Sequence, residues 1–482
     1  MIGYKNLRLL WSPFTREKAF ISAAALFSLY WVYLIFASQM SISADAVGYE
    51  DLGRMLQTKG FLAYFVTGPN REPIFPFLIS LAMRMGEAWN LSYQLIEKFF
   101  HLAIMLLSSW FMLVLLRRLK VSPISIFCII LYFGLSPAMI NSGLSLFSEI
   151  ASYPFVLLSV NLAVKAWIGA ISGKGFAVVD ALFLAMAILG LIFVKAYFEA
   201  AHLFFILPFF IAAGIYAWRK DWSRALHFLC IFFITLGIVS LFCHVYRSLN
   251  KTFNGQYVVT SRGPWALYGN SALRSEPLTS GRTIAAVAYI PGEGVCQKVS
   301  SEEDCLAVSF HAQDSLGLGH VHELERNGMT PENVNKILIG DVLRKAIQHP
   351  GQHVFFSVCE GLKFFFWEST QIGFVTYPGW LERIYQKNAV RYGVRFVMAL
   401  LTVLAVSWGA YVLVRPHYDV YGQCVIAWSL FFIFCTSFFY SFFSVLTRYV
   451  FPVVPLYLIL IGVLIEGVVG NCVGSHGREP VS

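Results

Sequence analysis

The chain has 482 residues, of which 57% are hydrophobic and 13% charged, with a formal net charge of +9. Soluble domains average about 25% charged residues, so a soluble enzyme, a disordered chain and a nucleic-acid module are excluded, and no Lys/Arg block is dense enough to track a nucleic-acid backbone. A multi-pass membrane protein is left, and its 27 acidic residues become the places to search, because an acid near hydrocarbon is costly and tends to be functional.

Lys5, Arg8, Arg16 and Lys18 precede an uncharged apolar stretch, Ala19 to Met40. Ala44-Asp45-Ala46 has the form of a signal-peptide cleavage site, but a signal core is about 7–15 residues, so an uncleaved first span is preferred. Its basic flank puts the N-terminus in the cytoplasm. Ser41 to Lys98 then forms one outside segment. Within it, Ile74 to Met85 is short and broken by Pro76, and reads as interfacial or re-entrant. A second span, Phe99 to Leu116, ends inside at Arg117, Arg118 and Lys120.

A third span, Pro123 to Ile140, leads to a short outer loop, Asn141 to Glu149. The fourth runs from Ile150 to Trp167, with Lys165 and Lys174 near its end. The fifth is Phe176 to Val194, the sixth Ala196 to Trp218 and the seventh Ala225 to Tyr246. Arg247 to Pro350 is the large polar region, followed by an amphipathic stretch, Gln352 to Trp367, read as lying along the outer interface. The last spans are Tyr392 to Val414, Tyr421 to Phe443 and Tyr449 to Val469, with Arg415, Pro416 and His417 inside.

The expected fold is therefore an all-α polytopic membrane protein of about ten spans with both ends cytoplasmic. Residues 1–246 form an N-terminal transmembrane module with its first outer loop at 41–98. Residues 247–391 form an extracytoplasmic region with an interfacial helix. Residues 392–482 carry the last helices and a short tail. Of nine cysteines, Cys296 and Cys305 are the two in the polar loop. They pair if that loop faces an oxidising compartment, and two free thiols are the other reading. No internal repeat is evident.

Asp45 stands at the exit of the first span, before a helical pattern of Tyr49, Leu52 and Leu56 that Gly60 stops. It is either the N-cap of that helix or a chemical group. Arg71, beside Glu72-Pro73-Ile74-Phe75-Pro76, suits a phosphate through its planar fork, or contacts headgroups as an interfacial anchor. Glu149, after Ser148, opens the fourth span, where the helix dipole already favours a carboxylate. Lys195 reads as a snorkelling residue or a phosphate partner. Arg448 opens the last span within Thr447-Arg448-Tyr449-Val450-Phe451-Pro452-Val453-Val454-Pro455. The threading puts Asp45, Arg71, Glu149, Lys195 and Arg448 on one face, an arrangement fit for acid/base chemistry on a phosphorylated ligand. His311, Asp314, His320, His322 and Glu323 have metal-ligand types without a standard metal-site spacing. Asn90-Leu91-Ser92 and Asn250-Lys251-Thr252 are sequons.

These motifs resemble the GT-C superfamily of polyprenyl-phosphate-sugar glycosyltransferases, in the branch of the protein O-mannosyltransferases and the bacterial aminoarabinose lipid A transferases. Asp45-x-x-x-Tyr49 looks like the first-loop acidic motif. Arg71-Glu72-Pro73-Ile74-Phe75-Pro76 looks like the basic-Pro segment after it. Glu149 holds the place of the second-loop acid, and Arg448-Tyr449-x-x-Pro452-x-x-Pro455 looks like the closing motif. The resemblance implies that Asp45 is the general base, with Glu149 as the second catalytic acid. It implies that Arg71, Lys195 and Arg448 bind the donor phosphate, that Tyr49 and Tyr449 line the substrate pocket, and that the anomeric carbon inverts. It implies a polyprenyl-phosphate-sugar donor and a lipid, glycan or protein acceptor, with membrane lipids around them and no nucleic acid. No cofactor is expected, since close relatives mostly work without a metal. The reading is a bacterial inner-membrane protein with a periplasmic site, with a eukaryotic reticulum as the other compartment left open. A transporter or flippase is the alternative, kept open by Glu199 and Glu466 within or near spans; a non-enzymatic assembly protein is the third option.

Overall fold

The computed structural model describes residues 15–68, 71–173, 177–370, 373–415 and 418–474, with side chains to 469. Lys5 and Arg8 of the basic flank, Asn70, Lys174, Phe176, Pro416, His417 and the tail beyond Gly474 lie outside the described residues. The fold is helical from end to end. The first helix, α1 (Arg16–Ala37), is capped by the Thr15 hydroxyl, which accepts from the Lys18 N–H at 3.3 Å. A two-residue strand, β1 (Gln39–Met40), leads into three helices that do not span: α2 (Asp45–Lys59), α3 (Phe61–Thr67) and α4 (Ile74–Trp89). Gly60 divides α2 from α3 at a φ of +79°, a conformation that only glycine adopts at low cost. The apolar face of α4 packs on α2 and on the long α5 (Tyr93–Arg118).

The predicted third span is broken. It consists of α6 (Pro123–Leu135) and α7 (Pro137–Leu144), bent by 47°. Pro137 lacks an N–H and pushes Ser136 towards an extended backbone, with φ −55° and ψ 127°. The buried Glu368 carboxylate satisfies the break: it accepts from Tyr132 at 2.6 Å, the Ser136 hydroxyl at 2.7 Å and the Ala138 N–H at 2.9 Å. Next come α8 (Glu149–Ser172), α9 (Ala177–Val194), α10 (Tyr197–Trp218) and α11 (Trp222–Asn254). The predicted seventh span stops at Tyr246, whereas α11 continues past it. Its extra turns are paid for by partners: Arg247 meets Glu199 at 2.6 Å, Asn250 donates to the Val258 carbonyl at 2.8 Å and Asn254 to the Phe65 carbonyl at 2.9 Å. Asn250 is fully buried by this arrangement and cannot serve as a glycan acceptor in the folded chain.

The polar region forms α12 (Arg262–Arg274), α13 (Ser280–Ala288), α14 (Glu293–Val299), α15 (Glu302–Ala307), α16 (Phe310–Arg326), α17 (Pro331–Gln348) and α18 (Pro350–Leu362). A disulfide joins Cys296 to Cys305 beside Phe356 and Cys359. The stretch Gln352–Trp367, expected along the interface, departs from that expectation. Its helix stops at Leu362, a 3-10 turn follows at Lys363–Phe365, and the chain then dives inward. Phe364 and Trp367 are buried, and the Trp367 indole donates to the Thr402 hydroxyl at 3.1 Å. Strand β2 (Val375–Thr376) pairs antiparallel with β1, Met40 facing Val375. It is followed by α19 (Gly379–Tyr385), α20 (Asn388–Val414), α21 (Val420–Tyr440), a 3-10 turn at Thr447–Val453 and α22 (Val454–Gly474).

Among the described residues, nine helical segments are long and apolar enough to cross a membrane, or ten with the bent pair counted as one span. The chain is a multi-pass membrane protein. Ion pairs mark both ends of its bundle. Glu17 meets Arg117 at 2.7 Å and Lys120 meets Asp419 at 2.8 Å at one end. The non-spanning helices gather at the other.

Candidate functional site

Asp45, Tyr49, Arg71, Glu149, Lys195, Arg448 and Tyr449 all line one cavity of about 960 Å³, at the end of the bundle that carries the non-spanning helices. Asp45 is its hub. The residue before it, Ala44, has φ +50° and ψ −123°, strained for a side chain with a Cβ. This turn starts α2 so that Asp45 occupies the first helical position. Ala44 is the N-cap, and no side-chain cap bond forms, so the capping reading of Asp45 is corrected. Its oxygens take Arg71 Nη2 at 2.6 Å and Arg448 Nη2 at 2.5 Å, with Arg262 Nη2 at 3.3 Å. Burial on its own would raise the Asp45 carboxyl, but the charges of Arg448 and Arg71 prevail and hold it at about 2.

Arg71 is 8% exposed, which corrects the reading of it as a headgroup anchor. Its guanidinium lies 4.5 Å over the Tyr49 ring, and its carbonyl accepts from the Tyr64 hydroxyl. Tyr49 hydrogen-bonds the Ser148 hydroxyl at 2.8 Å, tying α2 to the start of α8. Glu149, one residue on, accepts from Lys195 Nζ at 3.0 Å and has Arg448 Nε at 4.0 Å. Lys195 is thus half-buried and paired, not snorkelling. Burial works against its ammonium, but the Glu149 charge outweighs this and keeps its pKa above the ordinary lysine value. Arg448, in the 3-10 turn before α22, stacks 4.5 Å over the Phe147 ring. Tyr449 stacks on Tyr440 at 5.3 Å.

Two residues of this cavity escaped the chemical reading of the sequence, Arg262 and Trp265 on α12; a third, Asp314 on α16, reads there only as a metal-ligand type. Arg262 sits in a turn-rich stretch without periodicity, and only the docking of α12 carries it to Asp45. Asp314 and His311 line the cavity, while His320 stacks on Tyr268 at 4.5 Å and meets Glu323 at 3.3 Å elsewhere on α16. Among the described residues no group of three or more His, Cys, Asp or Glu side chains is placed to hold a metal ion. The disulfide does not line the cavity. Glu199 and Glu466 are both engaged, Glu199 by Arg247 and Glu466 by the Ser122 N–H at 3.0 Å and the Ser125 hydroxyl at 2.7 Å.

Four cations therefore meet two carboxylates in a pocket walled mainly by aromatic and aliphatic side chains. Such a site can hold an anionic headgroup at a water–lipid boundary and bring a carboxylate to a hydroxyl. Comparison of the chain with protein-family models, with curated proteins and with solved structures returned no match.

Proposed function

We propose that the protein is a membrane glycosyltransferase that moves a sugar from a polyprenyl-phosphate donor to an acceptor hydroxyl. The basic-loop distribution supports a cavity on the outer face of the membrane, which we read as the periplasmic face of a bacterial inner membrane. The observation that carries the reading is the convergence of Arg71, Arg448, Arg262 and Lys195 on Asp45 and Glu149 inside an apolar-walled cavity. The phosphate takes the guanidinium groups, whose forks match its oxygens. The acceptor oxygen attacks the anomeric carbon on the face opposite the phosphate. The bond from that carbon to the phosphate oxygen breaks, its electron pair stays on the phosphate, and the carbon inverts. The acceptor proton passes to a carboxylate of the cavity, a role that the family pattern gives to Asp45. Glu149 holds Lys195 and Arg448 in place.

The test supplies purified protein with radiolabelled polyprenyl-phosphate sugars and membrane acceptors. Expected are a labelled product, released polyprenyl phosphate, and loss of both in Arg448→Met. No transfer from any lipid-linked sugar overturns the reading. A transporter for an anionic lipid is the second reading. It is favoured by the fully buried Glu97–His101 pair in α5, 3.2 Å apart, because ionisable groups inside spans often serve transport. Label that crosses vesicles without a new glycosidic bond would select it.

A further inference from the structure

The other carboxylates in the cavity are already engaged. Asp45 is held by three arginines and Glu149 by Lys195. Glu72 accepts from the Ala196 N–H at 2.7 Å, and Glu199 pairs with Arg247 at 2.6 Å. Asp314 differs. It is half-buried and lines the same cavity, yet among the described residues no hydrogen bond or ion pair reaches its carboxylate.

Its position is set firmly. Asp314 lies in the second turn of α16, one turn after His311. Helix α16 presses on α12 so closely that a Cβ at Gly269 would strike the Gln313 carbonyl, and one at Gly317 the Trp265 carbonyl. Phe310, which opens α16, meets the Tyr449 ring edge-on at 6.4 Å. Tyr449 follows Arg448, so the two walls of the cavity are in register. The charged groups facing Asp314 are Asp45 of α2, Arg448 of the 3-10 turn and His311 of its own helix, with Arg262 of α12 in the same cavity. Burial first, and then the charge of Asp45, push the Asp314 carboxyl up to about 6. A general base works best when its proton affinity matches the working pH. Asp45, held at about 2, is poorly matched to that task.

We propose that Asp314 is the general base of the transfer, taking the acceptor hydroxyl proton from the α12–α16 side of the cavity, while Asp45 organises the arginines that receive the phosphate. This assignment rests on the glycosyltransferase reading above. As the acceptor O–H bond breaks, its proton goes to an Asp314 oxygen. The freed oxygen pair forms the bond to the anomeric carbon, and the carbon–oxygen bond to the phosphate breaks with its electrons on the phosphate. The products are an inverted glycoside, polyprenyl phosphate and a protonated Asp314 that returns its proton to water.

The experiment measures steady-state transfer from a radiolabelled polyprenyl-phosphate sugar by the full-length protein across pH. Wild-type kcat/KM should fall as pH drops through about 6, a check that needs no variant; a profile without that limb overturns the assignment. Asp314→Asn should lower kcat by about 10²–10⁴-fold, leave the donor KM unchanged and lose the limb. Asp314→Glu should recover part of the rate. Asp45→Asn should raise the donor KM and keep the limb, moved to lower pH because the Asp45 charge no longer pushes the Asp314 carboxyl up. Asp314→Asn and Asp314→Ser are both compared with wild type for melting temperature and for binding of decaprenyl phosphate, so that a folding defect is separated from lost chemistry. Wild-type rates in Asp314→Asn, or loss of the limb in Asp45→Asn alone, overturn the proposal and leave the glycosyltransferase reading standing. A wild type inactive with every lipid-linked sugar overturns both.

Discussion

The two ends of the helix bundle use charge in opposite ways. At the basic-loop end, Glu17–Arg117 and Lys120–Asp419 sit at the surface; the Lys120 side chain is 69% exposed and that of Glu17 57%. Each is a single pair that water can replace, and such pairs contribute little. At the cavity end, Asp45, Arg71, Arg448, Glu149 and Lys195 form a linked set in which Arg448 faces both acids. Their side chains are 22% exposed or less. Desolvated ions of this kind depend on one another, because removing one strands another in a medium that cannot solvate it. Surface pairs can mark topology without doing chemistry, whereas a linked, half-dry set is arranged to meet a charge brought from outside.

The contrast can be broken most directly at Arg448. Arg448→Met should cut transfer on the order of 10³-fold and lower stability by about 3 kcal/mol, read by rate and by thermal melting. Asp45→Asn is next. Asp45 has a folded pKa of about 2, below the ordinary aspartate value of 3.8. Its ionised form therefore stabilises the fold fully above the higher value, and the benefit is lost as pH falls towards the lower. Wild type should exceed the variant by about 2 kcal/mol at neutral pH. The gap should hold down to about pH 4 and close between there and about pH 2, as followed by melting temperature against pH. Gly269→Ala tests the docking of α12 on α16. Overpacking there should cost about 1–3 kcal/mol and displace Asp314, seen as a lower kcat at an unchanged donor KM. The smallest effect is expected at the other end: Arg117→Ala should leave melting and transfer at wild-type values. Equal damage from Arg117→Ala and Arg448→Met would erase the distinction.

Much of this was legible before folding. Asp45, Arg71, Glu149, Lys195 and Arg448 each sit within a few residues of a predicted span end or re-entrant segment, so the rule that basic loops stay inside was enough to gather them on one face. What it could not supply was their pairing, and so it left Asp45 between a cap and a chemical role. Arg262 and Asp314 lie in the polar region, where no span anchors depth or direction; they reach the cavity only because α12 and α16 pack through Gly269 and Gly317. Asp314 stands out in the sequence only as a metal-ligand type beside His311, because its place in the cavity depends on that packing. The break in the third span had a visible cause in Pro137, but its partner Glu368 is 230 residues beyond Ala138, a distance no local pattern bridges.

Glu368 also bears on how the chain matures. During synthesis the bent span of α6 and α7 enters the membrane long before residue 368 leaves the ribosome. Until then the hydroxyls of Tyr132 and Ser136 and the amide of Ala138 lack their acceptor, in surroundings where water is scarce. The amino-terminal half is therefore an unfinished object, closed only when the carboxy-terminal half comes back to it. A fragment ending short of Glu368 would carry an open seam at the elbow of its third crossing.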